Sequence, residues 1–89
     1  DRYTLCLPKI DSNTTKIQIF NIFNQYNFGF IKKIDLITIS QSKRAFIHYE
    51  KWNNSEKNKK IKSYLDDGLD IKIIYEFPWF WKCSKSRVN

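Results

Sequence analysis

The amino-acid sequence predicts a single α+β domain, in which a four-stranded antiparallel sheet is backed by two helices. The first observation is length, because 89 residues match the usual size of one domain. The second is the order of the hydrophobic patterns, which runs strand, helix, strand, strand, helix, strand. The third is composition: 42% of the residues are hydrophobic and 17% are aromatic, so large side chains can fill a small core without a metal or a disulfide.

The first strand and the first helix are indicated by alternation and by capping residues. Residues 3–7 alternate in polarity and are followed by Pro8, which predicts a strand with one buried face. Residues 11–14 (Asp-Ser-Asn-Thr) can cap a helix start, and Gln18 can complete a capping box. We expect the helix to end at Asn27. Its apolar side would carry Ile19, Phe23 and Tyr26.

The second half of the chain repeats this alternation. Residues 33–39 alternate and are rich in β-branched side chains, and a polar turn separates them from residues 44–49. This pattern predicts two neighbouring strands. Ser55 can cap a lysine-rich second helix that ends before Gly68, and residues 70–76 form the predicted fourth strand. Right-handed crossovers then place all four strands in one sheet with both helices on the same side.

One face of this sheet should therefore stay open, because side chains alternate between the two faces of a strand. The set expected to point at the helices is Leu5, Leu7, Ile34, Leu36, Ala45, Ile47, Tyr49, Ile71 and Ile73. The set expected on the open face is Cys6, Asp35, Ile37, Arg44, Phe46, His48, Lys72 and Ile74.

Three segments occupy the signature positions of a known family. They are residues 5–10 (Leu-Cys-Leu-Pro-Lys-Ile), the series Ile19, Phe23, Gly29 and Ile31, and residues 42–49 (Ser-Lys-Arg-Ala-Phe-Ile-His-Tyr). From Tyr3 to Glu76 the chain resembles the RNA-recognition-motif family, and the resemblance implies a ferredoxin-like fold and a function in RNA binding.

A narrower resemblance concerns residues 34–36 (Ile-Asp-Leu), residues 46–49 leading to Trp52-Asn53-Asn54, and residues 75–82 (Tyr-Glu-Phe-Pro-Trp-Phe-Trp-Lys). These segments are similar to divergent RNA-recognition-motif-like proteins of giant nucleocytoplasmic DNA viruses. The resemblance implies a viral protein that acts in the host cytoplasm, in a viral factory or in the virion.

The resemblance also implies where RNA would bind. In the family, aromatic side chains at three sheet positions stack on bases; here Phe46 occupies one of them, and Cys6 and Arg44 occupy the other two. Arg44 can partly replace a stacking ring, because a guanidinium stacks on bases and pairs with phosphate. The predicted RNA-binding residues are Phe46, Arg44, Lys43, His48, Lys72 and Cys6.

The aromatic run Trp79, Phe80 and Trp81 leads us to treat residues 77–89 as an extension that packs on a domain formed by residues 1–76. Pro78 should end the fourth strand, because it has no amide hydrogen to donate. The run could then cover an apolar strip on the open sheet, pack on the first helix near Phe20 and Ile22, or stay exposed to bind a protein partner. The predicted strip is Cys6, Ile37, Phe46 and Ile74.

The net charge and the motifs limit the classes of function that the sequence supports. Sixteen Lys and Arg against nine Asp and Glu give a net charge of +7, which favours a polyanionic partner, although solubility alone could explain it. His48 is the only histidine, and no nucleophile, acid or metal-ligand cluster accompanies it, so we expect neither an enzyme nor a cofactor. Cys6 and Cys83 should be free thiols in an intracellular protein, and no apolar run is long enough to span a bilayer.

These observations predict a module that binds single-stranded RNA, or nucleic acid more loosely, through the open sheet face. The alternative is a protein-interaction or virion-structural module that keeps the fold but has lost RNA binding. The replaced aromatics at Cys6 and Arg44 and the run from Trp79 to Trp81 favour the alternative, whereas the net charge and Phe46 favour RNA.

Overall fold

The structure, a computed structural model, describes residues 2–87 and is an α+β domain with two helices and one antiparallel sheet. The elements follow in the order β1 (Tyr3–Asp11), α1 (Lys16–Tyr26), β2 (Gly29–Ile39), β3 (Ser42–Trp52), α2 (Glu56–Asp66), β4 (Ile71–Glu76) and β5 (Trp79–Lys85). The predicted α+β class and the six predicted elements are confirmed.

The prediction of four strands is wrong, since the sheet has five strands in the order β2-β3-β1-β5-β4. This order differs from that of a ferredoxin-like sheet. The additional strand, β5, pairs antiparallel with β1 through Leu5 opposite Lys85 and Cys6 opposite Ser84. On its other side it pairs antiparallel with β4, which lies at the edge of the sheet.

The aromatic run becomes a strand because the chain reverses at Pro78. As predicted, β4 ends before this proline, at Glu76, and the Phe77–Pro78 peptide bond is cis. After the turn the side chains alternate: Trp81 and Cys83 are buried under the helices. The run therefore joins the sheet, rather than covering its open face. Residue 1 and residues 88–89, which belong to the predicted domain ranges, lie outside the described residues.

Local hydrogen bonds define both helices. Thr15 caps α1, one residue later than the predicted capping segment, and Gln18 completes the predicted capping box with it. Asn27 ends α1 in the left-handed conformation, with φ of 56°. Ser55 caps α2 as predicted, accepting a hydrogen bond from the backbone N–H of Asn58.

The core lies between the helices and one face of the sheet. Its centre is aromatic: the Phe28 ring stacks on Trp52 and meets Tyr49 and Phe23 edge-on. Most of the predicted helix-facing residues are buried, while Leu36 and Ile71 are partly buried against this core. The buried hydrophobic residues are Tyr3, Leu5, Leu7, Ile10, Ile19, Phe23, Phe28, Ile34, Ala45, Ile47, Tyr49, Trp52, Leu65, Ile73, Trp81 and Cys83.

Candidate nucleic-acid interface

The open face of the sheet brings together four of the predicted RNA-binding residues. Phe46, in β3, lies in a cross-strand row between Cys6 of β1 and Asp35 of β2. Arg44 and His48 precede and follow Phe46 on the same face of β3, because side chains two positions apart share a face. Phe46, Cys6 and His48 are partly exposed, and Arg44 is exposed.

Phe46 and Arg44 provide the two kinds of contact that single-stranded nucleic acid uses, a π face and a cation. The Arg44 Nε donates a hydrogen bond to the Pro8 carbonyl oxygen at 3.4 Å, so the guanidinium is held toward β1 and remains at the surface. Burial raises the pKa of the Cys6 thiol, although nearby Arg44 opposes the shift. Cys6 is therefore a neutral neighbour of the ring at physiological pH.

His48 is held by two polar side chains on this face. Its Nδ1 lies 3.1 Å from the Thr4 hydroxyl oxygen, and its Nε2 lies 2.8 Å from the Asp35 carboxylate. The hydrogen bond from His48 is the main cause that lowers the pKa of Asp35, and nearby Lys33 adds to the effect. The carboxylate consequently stays ionised and fixes the orientation of the imidazole beside Phe46.

Lys43 does not belong to this face. Its side chain lies on the helix side of the sheet, where Nζ donates a hydrogen bond to the carbonyl oxygen of Thr14, at the loop before α1. The alternation along β3 explains this placement, because Lys43 shares its face with buried Ala45. Lys43 and Phe46 therefore lie on opposite faces of the sheet.

Lys72 lies on the open face but far from Phe46. Because β5 separates β4 from β1, three strand spacings, or roughly 14 Å, lie between the two residues across the sheet. The Lys72 ammonium instead lies over the Phe80 ring, 4.8 Å from its centroid. Ile74, opposite Phe80, is likewise cut off from the apolar residues around Phe46, so the predicted continuous strip does not form.

The three residues of the aromatic run have different environments. Trp81 is buried, and its ring stacks on Phe23 at 6.4 Å and on Tyr75 at 4.7 Å between centroids. Trp79, at the tip of the hairpin, is 64% exposed, and Phe80 is 45% exposed. The run thus contributes one core residue, one open-face ring with a cation beside it, and one exposed ring.

A basic cleft at the end of the sheet was not predicted from the sequence. It lies beside His48, and its cations come from both chain ends, from β2 and from α2. They are Arg2, Lys32, Lys33, Lys62 and Lys85. The available signal was the alternation of residues 81–85, which indicates a further strand but not the strand with which it pairs.

Comparisons with known protein families, characterised proteins and solved structures found no match to this chain. Within residues 2–87, no group of three or more His, Cys, Asp or Glu side chains could hold a metal ion. Over the same residues, neither helix is long and apolar enough to cross a membrane. Cys6 and Cys83 are free and lie on opposite faces of the sheet.

Proposed function

We propose that the protein is a binding module that holds single-stranded RNA on the open face of its sheet. The observation that carries the proposal is that this face is not covered by the aromatic run and presents two rings, each with a cation beside it. Phe46 has Arg44 two positions away on the same strand face, and Phe80 has Lys72 above its ring. A ring supplies the surface on which a base stacks, and a cation pairs with phosphate.

The resemblance to the RNA-recognition-motif family supports the same face, because Phe46 occupies a stacking position of that family. The narrower resemblance to giant-virus proteins extends the proposal to a viral module. The five-stranded order is a departure from the family pattern, as are Cys6 and Arg44 at stacking positions. With one ring at those positions, phosphate contacts carry much of the affinity, so binding should weaken steeply as salt increases.

A protein-interaction function is the second candidate, and the exposed hairpin between β4 and β5 favours it. Phe77 is 83% exposed and Trp79 is 64% exposed, and the two residues flank Pro78 at the turn. Exposed aromatic side chains are typical of protein interfaces, in which Trp is enriched among the residues that dominate affinity. β1 separates this hairpin from β3, which carries Phe46. Mutations can therefore test RNA binding and protein binding separately.

The experiment compares wild type, Phe46→Ala and Phe20→Ala in binding a labelled single-stranded RNA of about 10 nucleotides, a length within the range of such sites. Phe20 is the control, since it is an exposed phenylalanine on α1, on the other side of the sheet. We expect Phe46→Ala to lose roughly 1–3 kcal/mol of binding free energy and Phe20→Ala to bind like wild type. Fluorescence anisotropy measures both.

Equal affinity of Phe46→Ala and wild type would exclude Phe46 as a stacking residue and overturn the site built around it. If the wild-type protein did not bind RNA at low salt, the RNA function would be overturned. The protein interaction through the hairpin would then be the function to test, with Trp79→Ala as the variant.

A further inference from the structure

The basic cleft joins residues that are far apart in sequence. Arg2 precedes β1, Lys62 lies in α2 and Lys85 ends β5, which pairs with β1. Lys32 and Lys33 come from a bulge in β2, where the register shifts between Ile31, opposite Tyr49, and Lys33, opposite His48. A bulge re-aims side chains, and here it allows two consecutive lysines to line the same cleft.

Cations outnumber carboxylates in this cleft. Its lining holds five Lys or Arg side chains and two carboxylates, Glu50 and Asp66. Both carboxylates already have partners: Glu50 lies 3.7 Å from Arg2 and 3.6 Å from Lys32, and Asp66 lies 3.1 Å from Lys85. Asp35, outside the lining, lies 3.9 Å from Lys33, so three carboxylates face five cations. By contrast, a second hollow, which shares Asp66 and Lys85 with the cleft, is lined by three carboxylates and three cations. The first cleft therefore keeps an excess of positive charge that the second lacks.

Contacts with the Tyr3 side chain hold several residues of the cleft in place. The Tyr3 hydroxyl donates a hydrogen bond of 2.7 Å to Asp66, which is the main cause that lowers the pKa of that carboxyl. The ammonium groups of Lys62 and Lys85 lie over the Tyr3 ring, 5.4 and 5.7 Å from its centroid. Tyr3 is itself buried in the core, so its ring anchors cations from α2 and from β5 at one place.

The cleft continues into the open face. Thr4 and His48 line it and are also open-face residues, directly opposite one another in the sheet. His48 is two positions from Phe46 along β3, which corresponds to about 7 Å. A nucleic-acid strand with one base stacked on Phe46 can therefore place neighbouring phosphates at the cleft.

We infer that this cleft is the phosphate-binding part of the RNA site, taking the sugar-phosphate backbone of the strand whose base stacks on Phe46. The inference rests on the proposed function and deepens it. It assigns the phosphate contacts to five cations of the cleft: Arg2, Lys32, Lys33, Lys62 and Lys85. Lys43 is not among them because it pairs with Ile10, at the other end of β1, and Lys72 is not among them because it lies across β5. The strand then runs along β3 from Phe46 toward the β1 start.

The test is the salt dependence of binding in two double variants of the full chain. Lys33→Gln with Lys62→Gln removes two cations of the cleft, one from β2 and one from α2. Lys57→Gln with Lys60→Gln removes the same charge from exposed positions of α2 outside it. Each lost phosphate contact to a single strand should reduce the slope of log Kobs against log salt concentration by about 0.7.

We expect the cleft double variant to lose a slope of about 1.4 and roughly 20-fold in affinity at about 0.1 M salt, with the control double variant much closer to wild type. Lys33→Arg with Lys62→Arg should restore binding, and matching melting temperatures should show that all variants are folded. Equal slopes for the two Gln double variants, with Phe46→Ala still impaired, would overturn the cleft and leave the proposed function standing. Absence of wild-type RNA binding would instead overturn both.

Discussion

The phenol of Tyr49 is a buried polar group in an otherwise apolar site. Its ring meets Phe28 and Trp52 edge-on in the aromatic centre of the core. Its hydroxyl is buried and has no hydrogen-bond partner among the described residues. Burial also raises the pKa of Tyr49, so the hydroxyl is neutral. The ring stabilises the fold, whereas the hydroxyl group was desolvated without a compensating bond.

Tyr49→Phe should therefore stabilise the protein, by about 1 kcal/mol, because it removes an unsatisfied buried hydroxyl and keeps the ring. For a domain of this size, such a gain raises the melting temperature by roughly 4–8 °C. The matched control is Tyr3→Phe, which removes a hydroxyl that does donate, to Asp66, and should lower the melting temperature. A lower melting temperature for Tyr49→Phe would show that its hydroxyl has a favourable partner.

At the scale of the elements, local patterns predicted most strands and both helices correctly. Alternation predicted the buried faces of β1, β3 and β4, and the capping residues Gln18, Asn27 and Ser55 act at the helix ends as expected. These are local properties, since a side chain's face depends on its own strand and a cap bonds within one turn.

The strand β5 was not predicted, because the first part of its sequence does not show a clear alternation. Three successive large aromatics, Trp79, Phe80 and Trp81, hide the alternation that becomes visible only at Cys83. Moreover, the free edge of β1 could accept either β4 or β5, and the packing of Trp81 on Phe23 that accompanies β5 joins residues far apart in sequence. Neither the pairing nor the packing is encoded within a short window of sequence.

A close backbone approach between β2 and β3 gives a prediction at this scale. Gly29 pairs with Trp52, and a Cβ atom at Gly29 would lie 2.0 Å from the carbonyl oxygen of Lys51. Because that neighbour is backbone, the strands would have to separate. Gly29→Ala should destabilise the protein by roughly 1–3 kcal/mol, the range for overpacking, as measured by urea unfolding.

Phe30→Ala is the control for Gly29→Ala, since Phe30 is the adjacent residue and is 68% exposed. Its substitution should change the free energy of unfolding by no more than about 0.5 kcal/mol. If Gly29→Ala unfolded at the same urea concentration as wild type, the strands would accommodate the methyl group, and glycine would not be required there.

For the whole molecule, the insertion of β5 decides how much of the site could be predicted. The grouping of Cys6, Arg44, Phe46 and His48 followed from alternation on β1 and β3 and is present. The position of Lys72 and the basic cleft depend on strand order, which no local pattern determines. Placing β5 beside β1 moved Lys72 one strand further away and brought Lys85 into the cleft.

The same strand makes the C-terminal segment part of the fold. β5 is an internal strand that hydrogen-bonds to β1 on one side and to β4 on the other. It also contributes buried Trp81, which packs on Phe23 of α1. Burial of one tryptophan contributes roughly 4–6 kcal/mol at about 25 cal/mol per Å². That is a large share of the roughly 5–15 kcal/mol by which a domain is stable.

Deleting the chain from Phe77 onward should therefore abolish cooperative folding rather than merely weaken it. The deletion would expose the β1 edge, detach β4 from the sheet and leave Phe23 and Ile73 without Trp81. A shorter deletion that ends the chain at Ser86 keeps all of β5 and should melt like wild type. Circular dichroism during heating measures both. Because β5 lies within the sheet and not over its open face, the longer deletion should not increase RNA affinity. A truncated protein that still folds and binds RNA more tightly than wild type would contradict this, since it would mean that the deleted segment covers the site.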